Sequence, residues 1–144
     1  MAYSTTTDVA SEFKNITISA TSALTTTEVT EFIVQADAYI DSRLGLKFTV
    51  PITGAESLKI VKRLSIWLVA SRMKEIYKVK TGAVLVDQGE TGDLGKMARE
   101  ELDKIIKNEL LLSDATLLSS ANGVKSFSND NGEEYTFQRN RDDW

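Results

Sequence analysis

The segment "ESLKIVKRLSIWLVASRMKEIYK", residues 56–78, is the stretch on which the fold turns. It holds no proline or glycine and is long enough for several helical turns. Wound as a helix, it puts Leu58, Val61, Leu64 and Leu68 on one face and Ile60, Trp67 and Ile76 on others. Its middle is therefore apolar nearly all round, which suits a helix at the centre of a bundle rather than at the edge of one. The charges collect at its two ends, where long lysine and arginine stems reach the surface. Trp67 lies in the apolar middle and reads as core rather than as a ligand platform.

A central helix needs neighbours, and the chain supplies them on both sides. Thr25 and Glu28 have the spacing of a capping box, with Thr26 or Thr27 as other candidate caps. After them Val29, Phe32, Ile33, Ala36, Ile40 and Leu44 form one apolar stripe. Gly45 then stands where a left-handed C-terminal residue would sit. "LKFTVPI" is extended, because Pro51 disfavours a helical residue before it. A further helix is expected over about 93–112, with Leu94, Met97, Ala98, Leu102, Ile105, Ile106 and Leu110 on its buried face. The spacings Glu100–Lys104 and Asp103–Lys107 would support it. A short helix near 6–14 carries Val9 and Phe13, and 15–27 is a β-branched, hydroxyl-rich connector. The expected fold is mainly α, a four-helix bundle-like protomer over residues 1–114, with residues 115–144 as a C-terminal arm. In that arm two short alternating runs flank Asn131-Gly132, a strong hairpin signal. Such a hairpin is marginal alone and needs a surface to lie against. Trp144 can be an anchor there or simply a frayed end.

Composition narrows the chemistry. The 144 residues fit one domain with a real core. There is no cysteine and no histidine, which removes disulfides, thiolates, the commonest general base and the commonest transition-metal ligand. No apolar run approaches the roughly 18 residues of a membrane span, and the start lacks the regions of a signal peptide, so a soluble intracellular protein is expected. The net charge of −4 conceals blocks. Lys59, Lys62, Arg63, Arg72, Lys74, Lys78 and Lys80 crowd residues 59–86, with acidic segments on either side. Those bases would pair within the fold or across an assembly, or else contact nucleic acid.

Two segments imitate active sites. "AVLVDQGETGDLGKMAREEL", residues 83–102, resembles a phosphate loop, but Gly89 is one residue too early for Gly95-Lys96. Met97 occupies the place of the metal-binding hydroxyl, and Glu90 and Asp93 would repel phosphate. It reads as a loop between helices. Asp37 and Asp41 fall together beside the apolar stripe, as an acid–base or metal pair would. With no histidine and no implied pocket, they read instead as flank acids facing solvent or meeting Lys59, Lys62 or Arg63.

The order of parts carries a resemblance. A hydroxyl-rich start leads to a short helix ending at Phe13, then a connector, then a helix closing "ADAYIDSRLG". A proline-bearing link, a long basic and apolar helix ending "MKEIY" and a final amphipathic helix follow. Through Ala36, Ile40, Asp41, Leu44, Pro51 and the helix over 60–77, this resembles the small head–tail connector (adaptor, head-completion) proteins of tailed phages. The likeness is nearest to the Mu-like branch and extends to the siphophage connectors. It covers about residues 5–112, with the tail "VKSFSNDNGEEYTF" similar in outline; the loop over 79–95 is longer and richer in glycine than the family's.

The resemblance implies a structural protein of the virion neck, assembled in the host cytoplasm and not an enzyme, with no cofactor, no metal and no membrane contact. It implies a homo-oligomeric ring of roughly twelve copies with heterologous contacts between neighbours. The ring would sit below the portal protein, pass packaged DNA without reading its sequence, and dock the next neck or tail protein: a stopper, a terminator or a tail tube. Contact candidates between subunits or with portal are Asp37, Asp41, Lys59, Lys62, Arg63, Phe127, Tyr135, Phe137, Arg139, Arg141 and Trp144. Glu90 and Asp93 are candidates for the channel wall. The rival reading is a small helical nucleic-acid-binding or regulatory protein using the basic helix over 59–80.

Overall fold

The computed structural model describes residues 1–88 and 92–118. Four helices follow in order: α1 Thr6–Ala10, α2 Thr26–Leu44, α3 Ala55–Thr81 and α4 Leu94–Ile106. α3 is the axis. It packs against each of the other three helices, as its nearly all-round apolar middle requires. Val61, Leu64, Val69, Ala70 and Met73 are buried along it, and Trp67 is buried among them. α2 and α4 both run antiparallel to it. Glu28 at the start of α2 meets Lys80 at the end of α3, and Glu101 in α4 reaches back to Arg63. The apolar stripe of α2 is the face it buries, through Val29, Ile33, Ala36, Ile40 and Leu44.

The helix ends follow local chemistry. α2 begins with the expected capping box: Thr25 accepts from the Glu28 amide, and Glu28 accepts from the Thr25 amide. α1 has the same device built from Thr5 and Asp8, but stops at Ala10, short of the expected residue 14. Residues 12–15 instead pair with the stretch before the masquerading loop: Lys14 N donates to Val86 O and Gln88 N to Glu12 O. A second short pairing joins Phe48 to Leu117, where the link after α2 meets the chain leaving α4.

Two further expected helix ends are corrected. Gly45 is right-handed, at φ −60°, and the left-handed glycine cap comes one helix later, at Gly82. α4 ends at Ile106, not near 112. Asn108 takes a positive φ of 63°, Glu109 N donates to Lys104 O, and Asn108 N donates to Ile105 O. That pair of bonds is a Schellman motif with asparagine in place of glycine. The i,i+4 pairs expected on α4 also give way. Asp103 is drawn to Arg43 of α2, and Glu100 stands 3.8 Å from Lys96. The described residues are mainly helical and include no named strand; the expected C-terminal hairpin lies outside them.

Candidate interaction surfaces

Asp37 and Asp41 face neither solvent alone nor Lys59, Lys62 or Arg63. They hold the chain's own start. Residues 3 and 4 lie against α2 and α3, and Tyr3 N donates to Asp37 Oδ2 at 2.9 Å. Ser65 of α3 donates to Asp37 Oδ1 at 2.6 Å and shares a hydrogen bond with Ser4 at 2.8 Å. The Tyr3 hydroxyl donates to Asp41 and accepts from Ile52 N at 2.9 Å. Asp37, Ser4 and Ser65 are all buried. Burial pushes the Asp37 carboxyl up, with its hydrogen bonds pulling the other way. Burial, and then the Asp41 hydrogen bond, pushes the Tyr3 hydroxyl up as well. Every polar group in this cluster is matched by another, so it acts as a latch rather than a reactive pair.

The basic block is largely spent within the chain. Lys59 pairs with Glu56, Lys62 with Asp8 at 2.8 Å, and Arg63 with Glu101. Arg72 stands 3.4 Å from Glu75, Lys74 is 2.6 Å from Asp87, and Lys80 is 2.5 Å from Glu28. Arg63 also lies over the Trp67 ring, 5.0 Å from its centre. Lys78 has no carboxylate partner among the described residues. Of the channel candidates, Asp93 caps α4 by accepting from Lys96 N at 3.0 Å, whereas Glu90 lies outside the described residues. Phe127, Tyr135, Phe137, Arg139, Arg141 and Trp144 lie outside them too.

Three features were missed by the sequence reading. Asp114, exposed in the segment after α4, caps α3 from outside. Glu56 N and Ser57 N each donate to its carboxylate at 2.8 Å, and Gly54 offers no side chain to do so. These bonds, led by the one from the Ser57 hydroxyl, hold the Asp114 carboxyl below its ordinary range. A groove of about 220 Å³ between α2, α3 and α4 is lined by Phe32, Ala36, Tyr39 and Leu68 with Arg72 and Arg99. Large aliphatic side chains are also exposed. Val79 lies in the last turn of α3, Val84 and Val86 follow it beside residues 14 and 15, Val34 is on the flank of α2, and Leu46, Leu111, Leu117 and Leu118 surround the link after α2. Ser65, a lone polar residue in the apolar middle of α3, was the one signal in the sequence that pointed to the latch.

Among the described residues, no three acidic side chains converge as a metal site would need, and no helix is long and apolar enough to cross a membrane. No protein-family model, curated protein or solved structure matches this chain.

Proposed function

We propose that the chain is a structural head–tail connector of a tailed phage, forming a ring below the portal that extends the DNA channel and helps retain packaged DNA. One observation supports this reading beyond the resemblance in the order of parts. Exposed aliphatic residues lie towards both ends of the bundle, Val79 in the last turn of α3 and Leu46, Leu111, Leu117 and Leu118 around the link after α2, with Val34 exposed on the flank of α2. Apolar ends suit a protein sandwiched between different partners, portal on one side and the next neck or tail protein on the other. In this reading the arm over 115–144 secures the portal contact.

The rival nucleic-acid reading depends on uncompensated bases along 59–80, since affinity for DNA grows with the number of phosphates neutralised. Most of those bases have carboxylate partners within the chain, which favours the connector. Particle size by negative-stain microscopy, alone and with portal, tests the proposal. Rings or portal-bound assemblies are expected, and removal of residues 122–144 should abolish portal docking while leaving the helical circular-dichroism signal. A strictly monomeric protein that ignores portal, with steeply salt-dependent DNA binding, would sink it.

A further inference from the structure

The groove between α2, α3 and α4 joins an apolar wall to a cationic rim. Phe32, Ala36 and Tyr39 of α2 and Leu68 of α3 form the wall, and Arg72 and Arg99 stand at the rim. Arg99 has no carboxylate partner among the described residues. Arg72 has only Glu75, at 3.4 Å, in a pair whose side chains are both more than half exposed and so weakly coupled. Tyr39, large and partly apolar, is 40% exposed. The groove therefore suits an occupant that brings a carboxylate together with aromatic rings.

We propose that this groove holds residues Glu133–Phe137 of the same chain. The sequence "EEYTF" puts Glu133, Tyr135 and Phe137 on one face when extended, a carboxylate followed by two rings. The match is selective. The groove beside Trp67 and Met97 is lined by Glu100, Glu101 and Glu109 against a single base, Lys104, and so suits a carboxylate less well. The reach is sufficient. Leu118 N is bonded to Lys47 O, just past the end of α2. Tyr39 and Phe32 lie about 8 and about 18 Å back along α2 from Leu44, at roughly 1.5 Å per residue. The chain from 118 to 133 spans up to about 50 Å when extended. A tethered segment is present at an effective concentration of about millimolar, which favours the same chain over a second copy in dilute solution. The inference does not rest on the connector reading. If both hold, portal competes with the groove for the arm.

The chain has no cysteine, so Asn129→Cys places a single spin label beside the segment in the full-length protein. Paramagnetic broadening of the Phe32, Gln35, Tyr39 and Leu68 amide signals is expected, with at least a several-fold loss of intensity relative to the reduced label. Arg99→Glu should restore most of that intensity, and Arg99→Glu with Glu133→Arg should bring the broadening back. Unbroadened groove signals would overturn the proposal, as would equal effects of the single and double variants. Equally strong broadening when labelled protein is mixed with isotope-enriched, label-free protein would overturn it in favour of a second copy. Portal binding is not read in this experiment, so its result and that of the connector test are separable.

Discussion

At position 37 a carboxylate is buried between two helices and holds the N-terminal residues in place. It accepts from Tyr3 N and Ser65 Oγ, and no cation is bonded to it. Burial raises its proton affinity, so the sign of its pH effect is the reverse of that for most acids in folded proteins. Above its ordinary value of 3.8 the unfolded chain ionises Asp37 more readily than the native chain does. Ionisation therefore destabilises the fold as pH rises through that window, and protonation favours it. Asparagine can accept from Tyr3 N with its oxygen and donate to Ser65 with its nitrogen, while Ser65 turns its own proton to Ser4. Asp37→Asn should be neutral or stabilising near pH 7, with an advantage over the parent that shrinks towards pH 3. Asp37→Ala strands the Tyr3 amide and should lose about 2 kcal/mol. Urea denaturation of both variants at pH 7 and pH 3 reads the two effects. A destabilised Asn variant at pH 7 would contradict the account of the latch.

The helices differ in where their ends are determined. α2 and α1 carry their caps in their own sequence, and Thr25–Glu28 is visible by its spacing. α3 does not. Its N-cap is Gly54, and its first amides are satisfied by Asp114 from the far side of α4. A Cβ on Gly54 would stand 2.5 Å from both the Asp114 carboxyl carbon and its backbone oxygen. Gly54→Ala must therefore push the capping residue away. Both Gly54→Ala and Asp114→Ala should lower the thermal midpoint, and the double variant should lose little more than the worse single one. Fully additive losses would show that the two changes act separately. The same contrast explains the α4 boundary. The apolar periodicity continues through Leu110, but the left-handed turn at Asn108 ends the helix at Ile106, four residues earlier. Periodicity marks which face is buried, whereas a local turn decides where winding stops.

Across the whole molecule, charge acts mainly to fasten elements together. Glu28 is drawn down to about 2, first by its hydrogen bond to Lys80 and then by those from Thr25. Asp8 is lowered by Lys62, and Asp114 by Ser57 and the start of α3. For these depressed groups the stabilisation is complete above the unfolded values, 4.5 for Glu28 and 3.8 for the two aspartates. It is lost as pH falls through the folded ones. Among the described residues these three groups weaken the fold in acid, and Asp37 acts in the opposite sense. The denaturation midpoint should be nearly flat from about pH 7 to about pH 5 and fall below about pH 4. Glu28→Gln should flatten part of that fall, and an unchanged acid limb would remove the Lys80 pair from the explanation.

The sequence by itself determined the helical class, the central place of residues 56–78 and the buried face of each long helix. Those follow from apolar spacing, which any packed arrangement of these helices must respect. What Asp37 and Asp41 meet could not be read that way. Their partners, Tyr3 and Ser65, are 34 and 28 residues from Asp37, and spacing along one helix carries no record of what lands beside it. The same is true of Asp114, which closes a helix 58 residues from itself. The bases of α3 gave their sign in sequence, and Lys59 and Arg72 met acids within α3 itself, but the partners of Lys62, Lys80, Arg63 and Lys74 came from α1, α2, α4 and Asp87. Only the tertiary structure decided which acids became caps, which became ion pairs and which were buried with a tyrosine. Hydrogen bonds and ion pairs act over a few ångströms, and only the packed chain brings such distant residues within that range.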